Sequence, residues 1–244
     1  MKYKINDVEI NYVNYGNPKG QDVVLLHGWG QNIEMMKPIG DNLDKLYNIY
    51  IIDLPGHGLS SEPTYGWQLI DYVEALNRMF RTFKIDKPIL VGHSFGGELS
   101  LLYASLYEVS KVVVLDSPFR PIVKKLTLKQ KMFKTAKKIP LLNKLENFAK
   151  KHTGSLEYRN ATVIMRQILV NSVNTDITNE LKNIKVPVLI IWGDLDDTVP
   201  IEEAYELEKR IKDAGVVVYE GCTHYAYLEQ LGKTINVLKS FIGG

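Results

Sequence analysis

A serine, a histidine and a group of aspartates carry most of the chemistry open to this chain. Ser94 stands in Gly92-His93-Ser94-Phe95-Gly96-Gly97, after the apolar run Pro88–Val91 and before the helix-like run Glu98–Ala104. A strand that runs into G-x-S-x-G and then into a helix is a nucleophile elbow, a turn so tight that the serine hydroxyl is held out at the end of a sheet. Gly92 and Gly96 suit such a turn, because glycine accepts close approach and unusual backbone angles at low cost. A serine hydroxyl is a weak nucleophile until a base takes its proton, an acid orients that base and hydrogen-bond donors receive the oxyanion. The residue after the nucleophile, here Phe95, supplies one donor from its backbone N–H. The available bases are His27, His57, His93, His152 and His224. The candidate acids are Asp194, Asp196 and Asp197 after one apolar run, and Asp116 after another.

These groups are far apart in the chain, so the elements around them must bring them together. Residues 2–5 and 8–15 read as a hairpin turning at Asn6-Asp7. Buried-strand runs occupy 23–26, 49–52, 88–91, 112–115, 186–192 and 215–219. Helical spacing predicts helices over 67–84, 95–107, 201–213 and about 227–241. Apolar runs alternating with helices imply a parallel sheet covered on both faces, with ligands at the strands' C-terminal ends. The loops His27–Gly30, Asp53–Gly58, Gly92–Gly97, Gly193–Pro200 and Gly221–His224 all follow predicted strands, and should converge on one edge. The alternation breaks between about 119 and 180, where apolar residues recur at helical spacing among lysines.

Composition narrows the class. The chain of 244 residues fits one large α/β domain with an insertion, and 45% hydrophobic and 24% charged content is ordinary for a soluble enzyme. Met1–Asp7 lacks the apolar core of a signal peptide and no run approaches transmembrane length, so a cytoplasmic, non-transmembrane protein is expected. The single Cys222 cannot form an internal disulfide and is expected to pack as a small apolar residue. With no CxxC and no His/Cys cluster at ligand spacing, no metal is expected. The net charge of +2 hides a block: residues 119–170 carry thirteen Lys/Arg against Glu146 and Glu157. Such a block suits an anionic carrier or a lipid surface, or is a solvated helical face. Nucleic acid is not expected, since the rest of the chain is acidic and carries no binding motif.

In order, His27-Gly28-Trp29-Gly30, Asp53-Leu54-Pro55-Gly56-His57-Gly58, the Ser94 elbow, Gly193-Asp194-Leu195-Asp196 and Gly221-Cys222-Thr223-His224 resemble the α/β-hydrolase superfamily over essentially the whole chain. The resemblance implies an α/β-hydrolase fold: a mostly parallel central sheet flanked by helices, with an inserted helical cap. The core would comprise residues 1–118 and 181–244, and the cap 119–180. It implies Ser94 as nucleophile and His224 as base, in the order Ser…Asp…His. It places Asp196 in the family's acid slot, with Asp197 the nearest competitor and Asp116 at a second acid position known in the superfamily. It makes Trp29 the second oxyanion donor beside Phe95, and His27 a structural residue. The aromatic side chains of Trp29 and Phe95 would then be free to line an apolar substrate pocket, or to pack under the cap.

The expected activity is hydrolysis of a small-molecule carboxylic ester through an acyl-enzyme on Ser94, with no cofactor. An aspartate-dependent dehalogenase or epoxide hydrolase is disfavoured by the serine. The His27–Gly30 loop is similar to that of the pimeloyl-acyl-carrier-protein methyl ester esterases, although those usually have tryptophan where this chain has His93. An acyl-thioesterase or carrier-protein methyl ester esterase that uses the basic cap is therefore an alternative. A ligand-binding receptor with slow turnover, built on the same triad, is another.

Overall fold

The computed structural model describes residues 1–122 and 161–243. Eight strands form one sheet: β1 (Lys2–Ile5), β2 (Val8–Gly16), β3 (Asp22–Leu26), β4 (Asn48–Ile52), β5 (Ile89–His93), β6 (Lys111–Leu115), β7 (Val188–Gly193) and β8 (Ala214–Tyr219). Their spatial order is β1-β2-β4-β3-β5-β6-β7-β8. The β1–β2 and β2–β4 pairs are antiparallel and all later pairs are parallel. β3, at the middle of the order, is flanked by β4 and β5, so the chain reverses its direction of winding there. Loops at the carboxyl ends of strands around such a switch point enclose ligand sites.

Each central strand is apolar on both sides because both faces are covered. In β3, Val24 and Leu26 join one buried cluster while Val23 and Leu25 join the other. The first cluster is closed by α2 (Leu69–Phe83), α3 (Phe95–Leu106) and α5 (Glu202–Arg210). The second is closed by α1 (Ile33–Leu43), α6 (Ala226–Glu229) and α7 (Leu231–Gly243).

Two elements depart from the sequence reading. α1 was not foreseen: Pro38 sits inside it, where proline removes a backbone donor and disfavours a helix. Burial of Ile33, Met36, Ile39 and Leu43 against the sheet overrides that cost, and Asn32 caps the first turn by accepting from the Glu34 N–H. The helix expected at about 227–241 is two, α6 and α7, separated at Gln230, whose backbone leaves the helical region.

Between β6 and β7 the described residues hold α4 (Val163–Val173) and a 3₁₀ turn at Leu181–Asn183. α4 buries Met165 and Ile168, and Asn171 donates to the Trp67 carbonyl at 3.1 Å. The remainder of the expected cap, with most of the lysines and His152, lies outside the described residues. No helix among the described residues is long and apolar enough to cross a membrane.

Candidate active site

Ser94 sits between the end of β5 and the start of α3, with φ 50° and ψ −115°. A non-glycine residue with that backbone is strained, and it persists only where its surroundings hold it. Here they do. The Ser94 N–H donates to the Leu115 carbonyl at 2.9 Å, and its own carbonyl accepts from the Gly97 N–H, the Glu98 N–H and the Ser117 hydroxyl at 2.7–3.0 Å. Of the two needs glycine could meet here, the flanking glycines serve close approach and not unusual backbone angles. Neither Gly92 nor Gly96 has a positive φ; instead, a Cβ on Gly92 would collide with the Gly96 carbonyl, and one on Gly96 with the Leu26 carbonyl. The glycines give closeness, and the serine itself takes the strained angles.

Three groups from separate loops meet in line. The Ser94 hydroxyl lies 3.0 Å from His224 Nε2, and His224 Nδ1 lies 2.7 Å from Asp196 Oδ2. The Asp196 side chain is fully buried. Its other oxygen accepts from the backbone N–H groups of Thr198 (2.8 Å) and Val199 (3.0 Å), so the carboxylate is fixed on both sides. An Nδ1–H donated to Asp196 leaves Nε2 as an acceptor facing the serine.

The competing acids sit elsewhere. Asp194 and Asp197 are exposed, and Asp194 accepts from the Gly221 N–H. Asp116 is buried at the end of β6, and its Oδ1 accepts from the Gly193 N–H at 2.8 Å. It therefore ties down the start of the loop that carries Asp196. Burial, then the nearby Asp196 charge, pushes its pKa up to about 8 despite that hydrogen bond.

The other histidines are buried supports. The Leu54 N–H donates to His27 Nε2, which leaves Nδ1 to donate to the Gly28 carbonyl at 2.7 Å and so shape the 27–30 loop. Burial depresses His27 to about 4 and His57 to about 4, which keeps both neutral near pH 7. His93 has a role that sequence reasoning missed: its Nε2–H donates to the His224 carbonyl at 2.8 Å, holding the loop that presents the base. Burial, and then its neighbour His224, lowers His93 to about 3. Cys222 is buried beside this loop.

The expected oxyanion donors, Trp29 and Phe95, line the same cavity as Ser94. Among the described residues, neither the Trp29 nor the Phe95 backbone N–H donates a hydrogen bond. Their rings meet edge-on, with centroids 5.4 Å apart. Phe95 is almost wholly buried and packs on Tyr72, while Trp29 is half-buried. Both line a cavity of about 670 Å³ together with Ser94, His224, Glu98 and Arg120. That volume is within the usual range for small-molecule sites. α4 contributes Ser172 to the wall, and Ser172 donates to Glu98 Oε2 at 3.1 Å. Glu98 and Ser172 carried no functional signal in the sequence; the one available hint was the four-residue spacing from Ser94 to Glu98.

The strand order, the reversal at β3 and the elbow after β5 define an α/β-hydrolase fold. Residues 23–235 match the Alpha/beta hydrolase family, and the chain belongs to it. Among curated proteins it is 26% identical to the AB hydrolase superfamily protein YisY of Bacillus subtilis, covering 91% of each chain. It is 23% identical to a pimeloyl-[acyl-carrier protein] methyl ester esterase of Aliivibrio salmonicida, over 92% of this chain and 93% of the relative. Among solved structures, a bromoperoxidase from Bacillus anthracis superposes with a TM-score of 0.78 at 24% identity, covering 100% of this chain and 99% of that one. At such identity the structural likeness speaks to the fold.

Proposed function

We propose that the protein is a carboxylic ester hydrolase that works through an acyl-enzyme on Ser94, with His224 as base and Asp196 as its orienting acid. The observation that carries this reading is the unbroken line from Asp196 Oδ2 to His224 Nδ1 (2.7 Å) and from His224 Nε2 to Ser94 Oγ (3.0 Å), opening on a cavity of small-molecule size. Ser94 Oγ attacks the ester carbonyl while His224 takes its proton. The backbone N–H groups of Trp29 and Phe95 receive the oxyanion; single donors of this kind are worth about 3 kcal/mol of transition-state stabilisation elsewhere. His224 then protonates the departing alcohol. Water, deprotonated by the same imidazole, attacks the acyl-enzyme, releasing the acid and restoring Ser94. Asp196 holds the imidazole in place and stabilises the imidazolium that forms.

Hydrolysis of p-nitrophenyl acetate and butyrate tests this reading. Wild type should turn over both, and Ser94→Ala should not; a wild-type rate no higher than that of Ser94→Ala would instead favour a ligand-binding receptor. A covalent phosphonate adduct on Ser94 is expected by mass spectrometry.

A second reading concerns what carries the acyl group. Thirteen Lys/Arg within residues 119–170 suit an anionic acyl carrier, and one relative bears the name of a carrier-protein methyl ester esterase. For a carrier-borne ester or thioester, KM should climb steeply with salt, as attraction between charged surfaces is screened. Equal salt dependence for a carrier-borne and a small neutral ester would reject it.

A further inference from the structure

Among the described residues, Glu98 is the one buried acid in the cavity wall that the proposed chemistry does not use. It lies one helical turn after Ser94, on α3, and only 2% of its surface is exposed. Its side chain's sole hydrogen bond among the described residues is the one Oε2 accepts from the Ser172 hydroxyl. The other described charged or titratable side chains that line the cavity, Arg120, His224 and Tyr225, do not pair with it. Arg120 is bound at both ends of its guanidinium to Glu203, at 2.8 and 2.9 Å, and His224 is engaged by Asp196 and Ser94. A carboxylate without a cationic partner is costly to bury, so the group responds by holding its proton. Burial indeed pushes Glu98 up to about 8, against a smaller opposing effect from Ser172. With Oε2 taken by the Ser172 hydroxyl, Oε1 is the oxygen left for a further partner, and a protonated Glu98 can donate from it.

We infer that Glu98 is a specificity residue that selects esters bearing a neutral oxygen acceptor, a keto, ether or hydroxyl oxygen, at a fixed separation from the scissile carbonyl. Ser94 caps α3 and Glu98 lies in its first turn, and both line the cavity, so the carboxyl keeps a fixed place relative to the nucleophilic hydroxyl. A plain alkyl chain in the same place would leave the acid O–H unmet, and sites built to hydrogen-bond a substrate reject analogues that lack the partner. This inference rests on the ester-hydrolase reading for its reaction, but the binding preference can be measured without turnover.

The test compares methyl 5-oxohexanoate with methyl hexanoate, and 4-oxopentyl acetate with pentyl acetate, so that the acyl and alcohol sides are separated. Wild type should prefer the oxygenated member of one pair by about tenfold in kcat/KM, the worth of one neutral hydrogen bond. The preference should fade as pH rises through about 8, where Glu98 ionises. Glu98→Gln, which keeps a neutral donor, should retain the preference and make it independent of pH. Glu98→Leu should bring the ratio to about one whatever its absolute rate. Equal rates for both members of both pairs in wild type, or an unchanged ratio in Glu98→Leu, overturns the inference. Calorimetric binding of the same four esters to Ser94→Ala and to Ser94→Ala/Glu98→Leu separates the two readings. Oxygen-selective binding without wild-type turnover removes the hydrolase reading and keeps Glu98's role. Turnover without selectivity does the reverse.

Discussion

Replacing Ser94 by glycine should abolish ester hydrolysis and yet leave a more stable protein than replacing it by alanine. Both changes remove the hydroxyl and its 3.0 Å contact with His224, so that loss cancels in the comparison. They differ in the Cβ. Alanine keeps a side chain on a backbone at φ 50° and ψ −115°, and four hydrogen bonds through its N–H and carbonyl prevent relaxation. Strain of that kind costs about 1–3 kcal/mol, which glycine relieves. Against this, glycine's freedom in the unfolded chain costs about 0.5–1 kcal/mol relative to alanine. Ser94→Gly should therefore exceed Ser94→Ala by about 0.5–2 kcal/mol in urea unfolding, or a rise in Tm of a few degrees for a chain of this size. Circular dichroism melts and urea titrations of the two inactive variants provide the measurement. A glycine variant equal to or less stable than the alanine variant would refute the claim that the elbow stores its strain in the serine.

Asp196→Asn should leave the fold intact and reduce kcat by about 10⁴-fold, the loss found when other triads exchange aspartate for asparagine and the imidazole tautomer is no longer fixed; steady-state kinetics checks it. His93→Leu removes the donor to the His224 carbonyl, so kcat should fall by about tenfold with KM little changed; a large loss of thermal stability accompanying the loss of activity in this variant would indicate a packing defect instead. Stability should peak near pH 6.5. As pH falls below the unfolded histidine value of about 6.5, buried neutral His27, His57 and His93 favour the unfolded chain, which takes up protons that the folded protein accepts only near pH 3–4. As pH rises, Glu98 and Asp116 hold their protons up to about 8 in the folded protein and release them near 4 when unfolded, so their contribution is complete below about 4 and is lost on the way to 8. Between about 4 and 6.5 three histidines outweigh two carboxyls, and above 6.5 only the carboxyls act. Denaturant titrations from pH 5 to 9 should show the maximum, and Glu98→Gln should flatten its alkaline side.

The elements that were legible in the sequence are those whose burial is written in local pattern. The six parallel strands declare themselves as unbroken apolar runs because both faces are covered, and the loops that follow them carry Ser94, Asp196 and His224 to one edge. α1 was hidden because its signal is divided: Ile33, Met36, Ile39 and Leu43 have helical spacing, but Pro38 and Gly40 lie between them and oppose a helix locally. Only the sheet face beneath it resolves that conflict. Choosing among the acids needed the same long-range information. A motif can rank Asp196 above Asp197 and Asp116, but spacing alone cannot say that Asp116 is spent on the Gly193 N–H.

His93 and Glu98 were illegible for a further reason, which bears on how the site is built. Each neighbours Ser94 in the chain, yet each acts through a segment distant in sequence: His93 through the backbone of His224, 131 positions away, and Glu98 through Ser172, 74 positions away. The elbow thus does more than expose one hydroxyl. Its strand side sends a neutral imidazole to brace the loop of the base, and its helix side sends a neutral acid into the cavity wall. Because Glu98 must hold its proton to donate, the burial that makes it expensive to ionise is itself part of the site. Substitutions that let water reach either side chain, without touching Ser94, His224 or Asp196, should therefore alter the pH profile of turnover before they alter the fold.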